Sequence, residues 1–261
     1  MKKPSAIIAA LLCLTACATT DPQPVETAPE TDTTAAETQQ SGETAAETQQ
    51  ETETEPETEA APVSDAQIQY DNITVWESST GTLWYTAVVE VANLGETTLQ
   101  LSSCTLDVED ASGALVATLD LGTSVPEVID PGETAYYVDT STLDAALPDG
   151  YKLVPHAKFG EHAAPVRYPV SEVSLKDTDY FGVKAVCRVE NNTDESISSP
   201  RVAVILLGAD GHAIAKLRTY ADEIAPGEKM GVECMAMAMP DSITADSVSG
   251  YVAYAEPMFQ W

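Results

Sequence analysis

Basic side chains are scarce in this sequence of 261 residues: 12 lysines and arginines stand against 42 aspartates and glutamates, a formal net charge of -30. Such an excess of negative charge repels phosphates, which excludes nucleic acid as a partner. The sequence also lacks an apolar run of 18 residues, so no membrane-spanning helix is predicted. Any attachment to a membrane must therefore use something other than a membrane-spanning helix.

The motifs of common active sites are missing as well. The sequence contains no G-x-S-x-G, H-E-x-x-H, G-x-x-x-x-G-K or G-x-G-x-x-G. The three histidines, His156, His162 and His212, do not have zinc-ligand spacing. We therefore predict a protein that is not an enzyme, with no catalytic residues, no metal centre and no cofactor.

Weak calcium binding stays open, because carboxylate oxygens are the ligands that calcium prefers. Two short stretches carry such groups, although neither has the D-x-D-x-D-G loop: Asp107, Glu109 and Asp110 in one, Asp177 and Asp179 in the other.

Residues 18–65 contain no Leu, Ile, Phe, Met, Trp, Tyr or Cys, and they carry 13 acidic but no basic side chains. A segment with so little to bury cannot offset the entropy of ordering its backbone. Residues 17–66 are therefore predicted to be a disordered acidic tether of Thr, Glu, Ala and Gln. Its low complexity is visible in the segment TAAETQQ, which starts at Thr34 and again at Thr44.

The first 16 residues have the pattern of a signal peptide: Lys2 and Lys3, then an apolar core of about a dozen residues. The core ends in Leu-Thr-Ala-Cys at residues 14–17, from Leu14 to Cys17. This ending resembles the lipobox of bacterial lipoproteins, which implies that the signal is cleaved and that Cys17 becomes lipid-modified. Acyl chains of this kind hold a protein at a membrane.

From residue 67 onward, short alternating runs of Val, Thr, Tyr and Leu are separated by turn residues, which indicates antiparallel strands. The pattern occurs twice. AVVEVAN ends at Asn93 and AVCRVEN ends at Asn191, and each asparagine precedes a glycine by 20 residues, Gly113 and Gly211. Pro-Gly-Glu follows in both copies. We predict an all-β protein of two tandem immunoglobulin-like β-sandwiches, residues 67–165 and 166–261, with a short restricted junction between them.

Residues 106–113, LDVEDASG, resemble the strand and turn of FxLYD-type extracellular domains, in which a strand ends in Asp-x-x-Gly. The Val-Glu-Val-x-Asn before it and the Pro-Gly-Glu after it resemble other landmarks of that family. In the second copy, residues 204–211 keep the glycine of Asp-x-x-Gly but lack its aspartate. Both copies also lack the Phe and Tyr of the FxLYD motif. The resemblance implies accessory modules of lipoproteins and secreted proteins, and it implies no catalytic residues.

Two groups of side chains are candidates for a specific role. Cys187 and Cys234 share inward-facing strand positions in the second copy, which leaves two alternatives, a disulfide or two buried thiols. Trp76, Trp84 and Tyr85 are candidate ligand contacts. Because Trp84 and Tyr85 are adjacent on a strand, one of them points inward.

These observations predict a lipid-anchored protein on the extracytoplasmic face of a cell membrane, which presents tandem β-sandwiches to another protein or to the cell wall. The alternative is a module that binds a glycan or a small ligand through the aromatic side chains of the first copy.

Overall fold

The computed structural model describes residues 65–180 and 182–258, and the predicted signal peptide, Cys17 and almost all of the tether lie outside this part of the chain. The described chain is nearly all β, as predicted, with antiparallel pairing throughout its sheets. No helix in the described part is long and apolar enough to cross a membrane. A short 3-10 turn, Ala245–Ser247, is its one helical element.

The first half forms two facing sheets from seven strands: β1 Ala66–Glu77, β2 Leu83–Asn93, β3 Leu99–Glu109, β4 Leu115–Asp120, β5 Val128–Ile129, β6 Thr134–Thr142 and β7 Lys152–Glu161. One sheet has the order β1-β2-β6. In the other, β7 pairs along almost the whole of β3, while β5 and β4 pair with its beginning and its end. Their facing side chains form one apolar core, with Leu101, Leu106 and Tyr137 fully buried.

The second half has six strands: β8 Val170–Thr178, β9 Gly182–Glu190, β10 Arg201–Leu207, β11 Ala213–Tyr220, β12 Lys229–Met235 and β13 Gly250–Glu256. They form one continuous sheet in the order β13-β10-β11-β12-β9-β8. Between β11 and β12, however, only Arg218 and Met235 pair, so the sheet folds over into two three-stranded layers that enclose a second core. The predicted boundary between residues 165 and 166 falls in the connection from β7 to β8.

A third apolar cluster joins the two halves. Val88 and Val138 of the first half contact Ala203 and Ile205 of the second. This contact explains why β2 and β10 are buried on both faces, although alternation predicts one exposed face for each. In β2 the odd-numbered residues enter the first core, while Val88 and Glu90 face the second half. The halves are therefore packed against each other.

Charged side chains at this junction are paired. Arg201 is buried; it donates to the carboxylate of Glu256, also buried and also in the second half, at 2.7 Å, and it lies 3.4 Å from the carboxylate of Glu127 in the first half. Glu256 also accepts the backbone N–H of Glu127 at 3.1 Å. Arg167 holds Glu133 with two hydrogen bonds of 2.7 and 2.6 Å. The Arg167 contact lowers the pKa of Glu133, chiefly through these hydrogen bonds. The Arg167–Glu133 and Arg201–Glu127 pairs therefore link the two halves through charge-assisted contacts.

Candidate functional site

Trp76 and Trp84 lie directly opposite each other on β1 and β2. Their rings are stacked, with centroids 6.3 Å apart and an angle of 18° between the planes. Side chains directly opposite on antiparallel strands project from the same face, so the register of β1 and β2 brings the rings together. Both side chains are half-buried.

Tyr85, the third predicted ligand contact, points the other way. It is 5% exposed within the first core, and its hydroxyl donates to Asp139 at 3.1 Å. Burial, together with the charge of Asp139, raises the pKa of Tyr85 to about 12. Alternation along β2 is the reason, since adjacent residues point to opposite faces. The accessible aromatic group is therefore the Trp76–Trp84 pair without Tyr85.

The tryptophan pair lines a cavity of about 560 Å³, which we call the Trp cleft. One wall is the β1–β2 hairpin, and the other is Tyr180 with residues 237–242 of the second half. Tyr180 is 90% exposed and Met237 is 71% exposed. Such a volume is in the range of small-molecule sites, which combine apolar surface with a few polar groups.

Both walls of the Trp cleft are held by specific contacts. In the hairpin, the N–H of Ser78 donates to the carbonyl of Thr82, and the hydroxyl of Ser78 accepts the N–H of Thr82. In the opposite wall, Met239 is 8% exposed and packs on Gly182, where an added Cβ would lie 2.9 Å from the methionine sulfur. Both segments that form the cleft are therefore held in position by contacts within their own half of the protein.

The polar lining of the Trp cleft is acidic and hydroxylic. Glu77 and Asp241 supply carboxylates, and Ser78, Thr80 and Thr82 are among the hydroxyl side chains. Among the described residues that line the cleft there is no lysine, arginine or histidine. The lining therefore offers stacking surfaces and hydrogen-bond acceptors to a ligand that carries hydroxyl groups or positive charge.

Sequence reasoning named the tryptophans but missed the wall formed by Tyr180 and Met237. Those residues sit in turn and post-strand segments about 100 and 150 positions further along the chain. No local pattern links them to Trp76. The sequence around Tyr180 indicates an exposed turn, but it does not indicate which residues lie next to Tyr180 in the fold.

Cys187 and Cys234 lie on the adjacent strands β9 and β12, where Cys187 is opposite Val232 and Cys234 is opposite Ala185. Both are buried as free thiols in the second core, and the Cys234 thiol donates to the carbonyl of Val202 at 3.8 Å. The proximity of the Cys187 thiol, together with burial, raises the pKa of Cys234. The structure thus brings the pair together, and the disulfide stays a prediction. Cys104 is a buried thiol of the first core.

The acidic stretches are engaged in local hydrogen bonds. Asp110 closes the β3–β4 turn, accepting the N–H groups of Ser112 and Ala114 and the Ser112 hydroxyl. These bonds, that of the hydroxyl first, lower the pKa of Asp110. Asp177 accepts the N–H of Ala245 at 2.7 Å. Across the described residues, no three His, Cys, Asp or Glu side chains are grouped in a way that could hold a metal ion.

The three histidines occupy separate places. His156 contacts Asp107 at 3.2 Å on the outer sheet surface. His212, in the turn before β11, stacks on Tyr70 with ring centroids 3.8 Å apart. Its Nδ1 lies 3.1 Å from Glu90, which also accepts the N–H of Ala213 at 2.7 Å. Glu90 is 6% exposed, so His212 belongs to the junction between the halves.

No family model matches this chain, and no curated protein matches it either. Among solved structures it has a likeness to a beta-glucuronidase from glycoside hydrolase family 2, with 11% identity and a TM-score of 0.20. The alignment covers 69% of this chain and 21% of that chain, so this chain spans about a fifth of the enzyme's length. A likeness at this level carries no argument about function.

Proposed function

We propose that this protein is a lipid-anchored extracytoplasmic binding protein without catalytic activity, and that it contacts a protein or cell-wall partner through the Trp cleft. Cys17 is the attachment point in this proposal, and residues 17–66 are the spacer. The two halves form the presented body. The lipobox-like residues 14–17 support the anchor, and the composition of residues 18–65 supports the spacer.

The observation that carries the binding role is the Trp76–Trp84 stack in a cavity whose second wall comes from the other half. Two partly exposed tryptophans are costly to leave in water, and tryptophan is enriched where proteins bind ligands and partners. The packing of Met239 on Gly182 supports a preformed second wall. A preorganised cleft loses little freedom on binding.

The anchor is tested by growing cells that express the full chain with radiolabelled palmitate. The label should enter the protein and should be lost in the variant Cys17→Ser. The variant Cys13→Ser should keep the label, because Cys13 lies within the predicted signal peptide, which is removed. Labelling that persists in Cys17→Ser contradicts the anchor without affecting the binding proposal.

The binding role is tested by capture of partners from whole cells and from purified cell wall, using the full chain with Cys17→Ser. The variant Trp84→Ala should lose most of the captured material. Tyr220→Ala is the matched control, because Tyr220 is 51% exposed and lies outside the cleft. Equal capture by both variants would contradict a role for the cleft.

A glycan ligand is the second candidate, and the hydroxylic and acidic lining beside the tryptophan faces favours it. Sugar rings stack on indole faces, and their hydroxyls donate to carboxylates. Titration of the Trp261→Phe variant with wall oligosaccharides isolates the fluorescence of Trp76 and Trp84, since the chain has three tryptophans. A saturable change that Trp84→Phe abolishes supports this candidate, and no change with wall oligosaccharides rejects it.

A further inference from the structure

A second, smaller recess lies where β6 of the first half meets β11 of the second. It has a volume of about 80 Å³. Asp139 and Thr140 line it from β6, Lys216 and Arg218 from β11, and Met235 with Met237 from the end of β12 and beyond. We call it the Lys216 recess. It is distinct from the Trp cleft, although Met237 borders both.

Lys216 and Arg218 are two residues apart on β11 and so project from the same face of the strand. Within the described residues, neither side chain has a carboxylate within ion-pair distance, whereas Arg167 and Arg201 both do. Lys216 is half-buried, and its amine has no hydrogen-bond partner in that part of the chain. Two cationic groups thus line one small cavity without a protein anion bound to either.

The one carboxylate in the recess is already engaged. Asp139 accepts the hydroxyl of Tyr85 at 3.1 Å, at the edge of the first core. Burial lowers the pKa of Lys216 to about 8, repulsion from Arg218 and Arg201 adds to the fall, and attraction to Asp139 opposes it. Burial and the neighbouring cations thus both disfavour the charged amine. An anion between Lys216 and Arg218 would offset the repulsion between these two cations.

We propose that the Lys216 recess binds a small oxyanion, a carboxylate or phosphate group of a ligand, between the Lys216 ammonium and the Arg218 guanidinium. The volume of about 80 Å³ accommodates a group of that size. Charge-assisted hydrogen bonds from lysine and arginine are the usual means of holding such groups. The chain as a whole has a net charge of -30, whereas two positively charged side chains line this recess. The inference does not depend on the proposed function of the Trp cleft.

The test is a titration of the full chain with 13C-methylated lysines, followed by NMR. Inorganic phosphate and acetate are added separately at constant ionic strength, with chloride as the reference salt. Either anion should shift the Lys216 resonance saturably and move the midpoint of its pH titration upward by about one pH unit, because a nearby anion stabilises the protonated amine. A response to acetate alone identifies carboxylate ligands, and a response to phosphate alone identifies phosphate ligands.

Lys176 on β8 is the internal control, because it is exposed and lies outside the recess. Its resonance should stay in place at fixed pH when the anion is added. The variant Arg218→Gln should weaken binding about tenfold, since it removes one charged hydrogen-bond donor. Lys176→Gln should leave binding at Lys216 unchanged. The proposal is overturned if Lys216 responds to neither anion, if Lys176 responds equally, or if Arg218→Gln binds as tightly as the parent.

Discussion

Asn93 and Asn191 make the same hydrogen bonds in the two halves of the protein. The Asn93 side-chain amide donates to the carbonyls of Thr97 and Ile129, and that of Asn191 donates to Glu195 and Ile224. Each side-chain oxygen accepts a backbone N–H two residues further on. Each asparagine carbonyl accepts the N–H of the glycine in Pro-Gly-Glu, Gly132 or Gly227, at 2.8 Å. The sequence repeat is therefore also a repeat of structure.

Replacement of either asparagine by alanine should destabilise the protein by about 2–3 kcal/mol, because buried backbone carbonyls lose their donor. Asn191→Ala and Asn93→Ala should behave alike in urea unfolding. Asn192→Ala is the matched control, since Asn192 is exposed, and it should change the free energy of unfolding by less than about 0.5 kcal/mol. Small effects at both buried positions would contradict the structural role of the asparagines.

Arg201→Met should destabilise the protein by about 3–5 kcal/mol, because it removes the cation that pairs with the buried Glu256 carboxylate. The double variant Arg201→Met with Glu256→Gln should recover part of this loss. Arg188→Met removes an ion pair with Glu172 whose side chains are both more than half exposed, so it should cost less than about 1 kcal/mol. Chemical denaturation of the four proteins measures these differences, and equal losses at Arg201 and Arg188 would refute the argument.

The stability of the protein relative to Lys216→Met should rise with pH between about 8 and 10.5. In this range the folded lysine, whose pKa is lowered to about 8, is neutral, while the unfolded lysine keeps its proton at an ordinary pKa of 10.5. The unfolded state then binds more protons, and stability increases with pH. Below pH 8 both states are protonated and the cost of burying the charge is fully present, so Lys216→Met should be the more stable protein at pH 7. Thermal unfolding at pH 7 and pH 10 measures the difference, and a constant difference between the proteins would contradict the burial of this amine.

Gly182→Ala should destabilise the second half and disturb the Trp cleft. Gly182 has a φ of +67°, and an added Cβ would lie 2.9 Å from the sulfur of Met239. A loss of about 1–2 kcal/mol is expected from the backbone conformation alone. Gly231→Ala is the control, because nothing lies within 4 Å of its added Cβ. Unfolding temperatures and the fluorescence of the cleft tryptophans in the Trp261→Phe background report both effects, and similar behaviour of the two variants would disprove the contact.

The predicted disulfide between Cys187 and Cys234 is testable by mass. Exported protein treated with an alkylating agent under denaturing, non-reducing conditions should leave these two cysteines unmodified and Cys104 modified. A disulfide across this separation should stabilise the fold by about 3–4 kcal/mol, which reduction removes. Alkylation of all three cysteines before reduction would instead support the alternative of buried free thiols.

Much of the fold was predictable from local patterns. Alternating residues in AVVEVAN and AVCRVEN predicted strands, and both segments are strands, β2 and β9. The glycines Gly113 and Gly211, which follow the two asparagines at the same interval, have matching φ values of +86° and +84°. Adjacent Trp84 and Tyr85 divide between the surface and the core, which alternation required. These features depend on short-range geometry, which a strand carries in its own sequence.

The tertiary structure alone decided which surfaces meet. Glu90 reads as an outward residue of β2, yet it is buried against Ala213 and His212 from the other half. Tyr180 and Met237 line the same cleft as Trp76 and Trp84, and the third apolar cluster and the Arg167–Glu133 and Arg201–Glu127 ion pairs link the two halves. A period of two specifies a strand and its inner face. The choice of partner for the outer face depends on packing and charge between residues far apart in the chain, and no repeat within either copy encodes it.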